Sequence, residues 1–347
     1  MRYFDEGLIA NSRPHAAWWD ELCGVRAFFH DTEDALAAAL NTTAVLPDEA
    51  WREVDQLTRR IMRDDEGQVY MQDLLPLAKP VNIGKLVHLN RVSSDAGKVT
   101  RSMSGQVPDG IDKVEYDHRG SPVPIFTSAF GRNWREWNTH QSENFDSISD
   151  DTEAHGAAIR QDMAQYTLDG DTSMSVEGYD AVGIRTSPLS KSINLGSAAG
   201  GANIDLTSAA TDAIEAFFDD VVVAMLDDNK ISEAVNIYVS PEIMRRLDKP
   251  YSASTGFKGG TLLEQLESKR YINKIGRTFE LTGNEFFGFV PNAQYIRPII
   301  GMAVNTTAKT RMNPTDNYHF LMMGAMGIEI RGDFGQRSGV FYSVVQN

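Results

Sequence analysis

Residues 150–170 read DDTEAHGAAIRQDMAQYTLDG, and residues 171–184 continue DTSMSVEGYDAVGI. Ile159, Met163 and Tyr166 recur at helical spacing and make one apolar stripe. Asp150 with Glu153 three residues on is an acidic variant of the capping box, and Asp169-Gly170 is a stop signal. The spacing predicts a long helix over about 150–168. From Glu143 to Asp171 there are eight acids (Glu143, Asp146, Asp150, Asp151, Glu153, Asp162, Asp169, Asp171) and one base, Arg160.

Upstream, residues 81–134 change to alternation broken by turn residues. Lys85–Val92, Val99–Met103, Asp112–His118 and Val123–Phe130 are expected strands. Ser94-Asp95-Ala96-Gly97, Pro108-Asp109-Gly110 and Arg119-Gly120 are the expected turns. The middle is too polar to own a core, so it reads as a long β-ribbon projecting from the body. From 81 to 132, seven bases (Lys85, Arg91, Lys98, Arg101, Lys113, Arg119, Arg132) face five acids, a balance of +2. The region 143–171 stands at −7.

Further upstream, Leu46-Pro47-Asp48-Glu49 opens a helix, with proline suited to the first turn and acids at the positive end of the dipole. Trp51, Val54, Leu57 or Thr58, and Ile61 form its stripe; Arg59, Arg60 and Arg63 close it. Residues 1–45 carry the pairs Trp18-Trp19 and Phe28-Phe29. So short a segment cannot bury four large aromatics on itself, so they are expected to pack on the body or on another chain.

Downstream, Thr207–Leu226 is the most strongly amphipathic stretch, with Ile214, Phe217, Phe218, Val221, Val222 and Met225 on one face. Val235–Val239 reads as a strand, Ser240-Pro241 as the start of a helix to Leu247, and Lys249–Gly260 as a polar glycine-bearing loop. Thr261 and Glu264 make a capping box for a helix ending near Ser268. Strands are expected at Thr278–Leu281, Phe286–Val290, Tyr295–Val304, Tyr318–Ala325, Gly327–Arg331 and Val340–Val345. No clean βαβ repeat emerges, which places the chain in the α+β class.

Composition excludes several functions. Among 347 residues, 33 lysines and arginines face 48 acids, a net charge of −15 that opposes general nucleic-acid binding. The one cysteine, Cys23, rules out an internal disulfide and a cysteine zinc cage. The longest strongly apolar run, Val221–Leu226, is far short of a membrane span, and residues 1–12 lack a signal-peptide core. The chain reads as soluble and cytosolic when made. The seven histidines form no zinc-protease pair. His30-Asp31-Thr32-Glu33-Asp34 is more simply the cap of a helix over 33–40. Gly196–Gly201 lacks a phosphate-binding lysine, and no G-x-S-x-G elbow occurs. No cofactor, metal site or catalytic group is expected.

The ordered set of segments resembles the major capsid protein of tailed bacteriophages, the Hong Kong 97-like fold, over about residues 46–347. Residues 46–55 (LPDEAWREVD) resemble the entry helix of phage capsid proteins and of the related encapsulin shells. Residues 166–170 (YTLDG) with 176–184 (VEGYDAVGI) resemble the turn after the long "spine" helix. Residues 238–247 (YVSPEIMRRL) and 261–266 (TLLEQL) resemble axial-domain helices, and the end from Gly327 through Phe334 to Val340 resembles the final peripheral strands.

The resemblance implies an N-terminal arm (1–45), an extended loop (81–133) and a peripheral domain. The peripheral domain takes 46–80, 134–204 and 306–347 with the spine helix, and an axial domain takes 205–305. It implies copies packed into pentamers and hexamers, closing an icosahedral shell around double-stranded DNA held by weak nonspecific contacts. The extended loop would lie over the neighbouring subunit's peripheral domain and spine. That assigns Lys85, Arg91, Lys98, Arg101, Lys113 and Arg119 to a neighbour's Asp150, Asp151, Glu153 and Asp162. Trp18, Trp19, Phe28 and Phe29 become arm anchors, and Lys249, Tyr251, Phe257, Lys258, Gly259 and Gly260 the axial tip. Portal and a separate scaffolding protein are implied partners, a decoration protein is a further one, and a membrane is not. The particle would assemble in the bacterial host cytoplasm and reside in the virion. The competing readings are an encapsulin-type compartment around cargo protein and a soluble enzyme of unrecognised type.

Overall fold

The computed structural model describes residues 67–95, 113–142, 147–198, 200–253 and 256–346, with positions 97, 99, 101 and 103. The expected helix from Leu46, the arm anchors Trp18, Trp19, Phe28 and Phe29, and Lys98 lie outside the described residues. Gly67, left-handed at φ 75°, leads into α1 (Gln68–Leu74); a side chain there would strike Ala164 and Tyr70. After the short β1 (Lys79–Pro80), β2 (Val87–Ser93) and β3 (Tyr116–Pro122) pair antiparallel as the expected ribbon. Arg119 and Gly120, expected in a turn, sit inside β3 opposite Asn90 and Leu89. Among the described positions between them, 94, 95, 97, 99, 101, 103 and 113–115, no strand forms, although strands were expected over Val99–Met103 and from Asp112.

β4 (Ile125–Arg132) leads to α2 (Trp134–Ser142), a helix where none was expected. The long helix α3 (Ser147–Asp169) follows. It starts three residues ahead of Asp150, which therefore sits in its first turn rather than at the cap. Gly170, at φ 65° and against the backbone of residues 181–183, ends it as expected. β5 (Gly170–Val176) and β6 (Tyr179–Val182) form a hairpin, and β7 (Lys191–Asn194) comes next.

The amphipathic stretch folds as α4 (Thr211–Phe217), one π turn (Phe218–Val222) and α5 (Val223–Asp228). The π turn adds a residue to the repeat. Ile214, Phe217, Phe218, Val222 and Leu226 are buried, and the expected Val221 and Met225 are only partly covered. β8 (Val235–Val239) and α6 (Pro241–Leu247) match expectation, with Ser240 Oγ accepting the Ile243 N–H at 3.2 Å. The segment read as a polar loop is a hairpin of β9 (Pro250–Ala253) and β10 (Gly256–Thr261). The Thr261–Glu264 capping box starts α7 (Leu262–Glu267). β11 (Ile272–Arg277) is a strand where none was expected, and the expected strand Thr278–Leu281 is not one. β12 (Phe286–Phe289), β13 (Ile296–Ala308), β14 (Tyr318–Ile330) and β15 (Val340–Val344) complete the chain, with Tyr318–Ala325 and Gly327–Arg331 fused into β14.

Two sheets organise these elements. The five-stranded sheet, β11-β8-β12-β15-β7, is buried on both faces, which is why β8 and β12 lack alternation. Ile237, Val239, Phe286 and Phe341 meet the helices α4 to α7. Tyr238, Phe287, Phe289 and Val340 meet Tyr70, Leu74 and Leu168 on the other side. The four-stranded sheet, β1-β13-β14-β4, packs one face on α3 through Phe130, Met322 and Met326 against Ile159 and Met163. The boundary expected between 305 and 306 falls inside β13, and β7 and β15 complete the sheet centred on β8 and β12.

Candidate assembly surfaces

The root of the ribbon is tied to its own body. Tyr179 lies flat on Gly120, where a Cβ would come within 2.6 Å of the ring. Arg119 donates to the carbonyls of Gly332 and Asp333 at 3.1 and 3.3 Å, so this expected partner for a neighbour is engaged within its own chain. Glu329, 1 % exposed, faces its cross-strand neighbour Arg297 at 2.5 Å and Arg331 at 3.4 Å. Lys79 approaches His88 at 3.4 Å beside this cluster. Burial lowers the His88 pKa; Glu329 opposes that, and Lys79, Arg297 and Arg331 add to it.

Beyond the root the ribbon is open. Tyr116 is 61 % exposed with Arg91 5.0 Å over its ring, and Leu89, opposite Gly120 at the root itself, is already 51 % exposed. Lys85, Arg101 and Lys113 are exposed. Of the expected acids on α3, Glu153 and Asp162 are exposed and Asp150 is half-buried. Asp151 is engaged within its own chain: Arg132 donates two bonds to it, at 2.7 and 2.8 Å, and a third to Glu136 at 2.8 Å. These bonds, Asp151 first, push the Arg132 pKa up. A base at the end of the ribbon segment thus does meet an acid of the long helix, inside one chain.

The face of the four-stranded sheet turned away from α3 is covered at one end and bare at the other. In β14, Ala325, Gly327 and Glu329 are buried, the root crossing them through Val123 and the Pro122 carbonyl. In β4, Ile125, Thr127, Ala129 and Gly131 are all exposed. At the bare end the loop after β13 is stiffly built. Arg311 stacks 3.9 Å over Tyr318, which stacks on Trp137 at 4.6 Å. Asp316 accepts the N–H groups of Asn313 and Met312 at 2.8 and 3.2 Å, and the Asn313 bonds foremost lower its pKa. At the expected axial tip, Lys249 is exposed; Tyr251, Phe257, Lys258 and Gly259 belong to the β9–β10 hairpin, and their side chains lie outside the described residues. Gly260 is left-handed at φ 74°, with Glu264 against the place of a Cβ. Among the described residues no group of three His, Cys, Asp or Glu could hold a metal ion, and no helix is long and apolar enough to cross a membrane.

A family model described as a family of unknown function, DUF6260, matches residues 39–343. The chain belongs to that family. No curated protein matches the sequence of this DUF6260 member. Its fold is shared with solved phage capsids. The capsid of Myoviridae phage XM1 superposes with a TM-score of 0.65 at 11% identity, over 88% of this chain and 100% of that one. The capsid of a native GTA particle gives 0.60 at 12% identity, covering 85% and 95%. A virus-like particle from Pyrococcus furiosus gives 0.51 at 16% identity, covering 79% and 91%. This DUF6260 member therefore has the Hong Kong 97-like capsid fold, a mixed α and β architecture.

Proposed function

We propose that this chain is a major capsid protein whose copies join as pentamers and hexamers and close an icosahedral shell around phage double-stranded DNA. The observation that carries the reading is the ribbon, which leaves a well-tied root and then exposes Leu89, Tyr116, Arg91 and Arg101. A single chain gains little from such a ribbon, whereas a neighbour that buries it gains apolar area and many weak contacts at once. On this reading residues 81–133 are the extended loop, α3 is the spine, 205–305 form the axial domain around the tip hairpin, and 1–45 are the arm anchored by its aromatics. The peripheral domain takes the remainder.

Lys85, Arg91, Lys98, Arg101 and Lys113 face Asp150, Glu153 and Asp162 of a neighbouring copy. Each exposed pair is worth about 0–1 kcal/mol, so the charges set register and encounter more than affinity. The net charge of −15 suits a wall that does not grip its genome. Scaffolding and portal proteins act as separate partners in the host cytoplasm, with decoration from outside where one occurs, and the finished shell is the virion's. Catalysis plays no part.

A second reading keeps the closed shell, with which the likeness to a virus-like particle agrees, and fills it with cargo protein in the manner of an encapsulin. Electron microscopy of the purified protein tests both: closed shells are expected, and a small soluble oligomer overturns them together. What copurifies then separates them, nucleic acid with portal or a cargo enzyme.

A further inference from the structure

The root of the ribbon meets the body largely through polar side chains. Cross-strand partners share a face of the ribbon, so His88 with Ser121 and Asn90 with Arg119 turn to one side. That side is the body: Lys79 reaches His88 Nε2 at 3.4 Å, and Arg119 reaches the Gly332 and Asp333 carbonyls. Among the described residues, the charged groups that act on His88 are Lys79 of β1, Arg297 of β13, Glu329 of β14 and Arg331 just past it. Ser121, opposite in β3, is neutral, and Arg119 is held by its two carbonyls. Three cations therefore share one carboxylate, a local balance of 3 − 1, or +2, while His88 is neutral.

This packing suits one protonation state of His88. A neutral imidazole accepts from Lys79 through Nε2; an imidazolium has no acceptor and sets a fourth cation 3.4 Å from the ammonium. Glu329 is 1 % exposed and already flanked by Arg297 and Arg331, so it has little left to offer a further charge. Lys79 can turn outward, but the two guanidiniums cannot leave without stranding a buried carboxylate. Burial first, then Lys79, Arg297 and Arg331, lower the His88 pKa, in agreement with the geometry. The apolar fixed point of the root is Val123, packed with Ile299 and Ala325.

We propose that His88 is a pH-sensitive latch: neutral, it seats the ribbon root on the four-stranded sheet, and protonated, it lifts β2 and β3 from that sheet. The ribbon then changes its angle to the body about Val123, and both large sheets stay folded. The latch belongs to the single chain and stands whether or not the shell reading does. Within a shell it makes the reach of the ribbon towards a neighbour depend on pH.

Hydrogen exchange of the full chain, kept dilute and unassembled, tests the latch at about pH 7.5 and about pH 5, with labelling times scaled for the chemical pH dependence of exchange. Peptides from 87–93 and 116–122 are expected to lose protection about fivefold or more at the lower pH, while 235–239 and 286–289 keep theirs. Equal protection of the root at both pH values overturns the proposal. A loss spread equally over 235–239 and 286–289 is unfolding and overturns it as well. His88→Gln, which accepts from Lys79 and never charges, is expected to hold the root at both pH values. A His88→Gln chain whose root still loosens at the lower pH assigns the response to another group, such as Glu329, and sinks the latch.

Discussion

The two large sheets of this protein are finished to different degrees. The five-stranded sheet has helices on one side and α1 with the end of α3 on the other, and its central strands are buried at every position. The four-stranded sheet is completed on its α3 side; its other face is covered only where the ribbon root crosses it, and the rest of that face, the β4 edge and the ribbon beyond its root stay open. The first is a fold's own core. The second has the character of half an interface, apolar and regular but uncovered. Buried substitutions in either sheet should therefore cost subunit stability, whereas substitutions on the uncovered surface of the second should cost assembly while leaving the subunit intact.

The largest stability effect is expected at Phe287, fully buried and stacked on Tyr238 at 5.2 Å. Phe287→Ala should cost about 3–5 kcal/mol in denaturant unfolding of the subunit. A loss below about 1 kcal/mol would erase the contrast between the sheets. Glu329→Ala should cost a similar amount, about 3–5 kcal/mol, because it leaves Arg297 half-buried without its carboxylate. Thr261→Ala removes a cap and should cost about 1 kcal/mol by the same measurement.

The open regions should behave in the opposite sense. Reversing Arg91, Lys98 and Arg101 to glutamate should change subunit stability by less than about 0.5 kcal/mol and sharply reduce particle yield. Unchanged yield removes the charge-pairing argument. The smallest effect concerns His88. Its folded pKa lies below the unfolded value of about 6.5, so the unfolded chain takes up the proton first. Stability should therefore fall slightly as pH drops below about 6.5, and His88→Gln should flatten that part of the curve.

What was legible in the sequence follows the same division. The caps at Ser240 and Thr261 and the strand Val235–Val239 were readable because their signals are local. The long helix was readable from three apolar residues and a glycine stop, though its start was placed three residues late. β11 escaped because Ile272–Arg277 has little alternation of its own and is a strand by parallel pairing with β8. The hairpin 250–261 escaped because its glycines read as a loop. The π turn shifted burial from Met225 to Leu226 without any mark that periodicity could detect. The bonds of Arg119 to Gly332 and Asp333 and of Arg132 to Asp151 were not legible, because tertiary contacts set them and charge counting does not reveal those.

The central claim is that copies of this chain complete one another's open sheet and ribbon. Light scattering on the purified protein across a concentration series tests it most directly. The account predicts a population of large, uniform closed particles above a threshold concentration. A species of one or a few chains at every concentration, with the ribbon amides already protected, would contradict it.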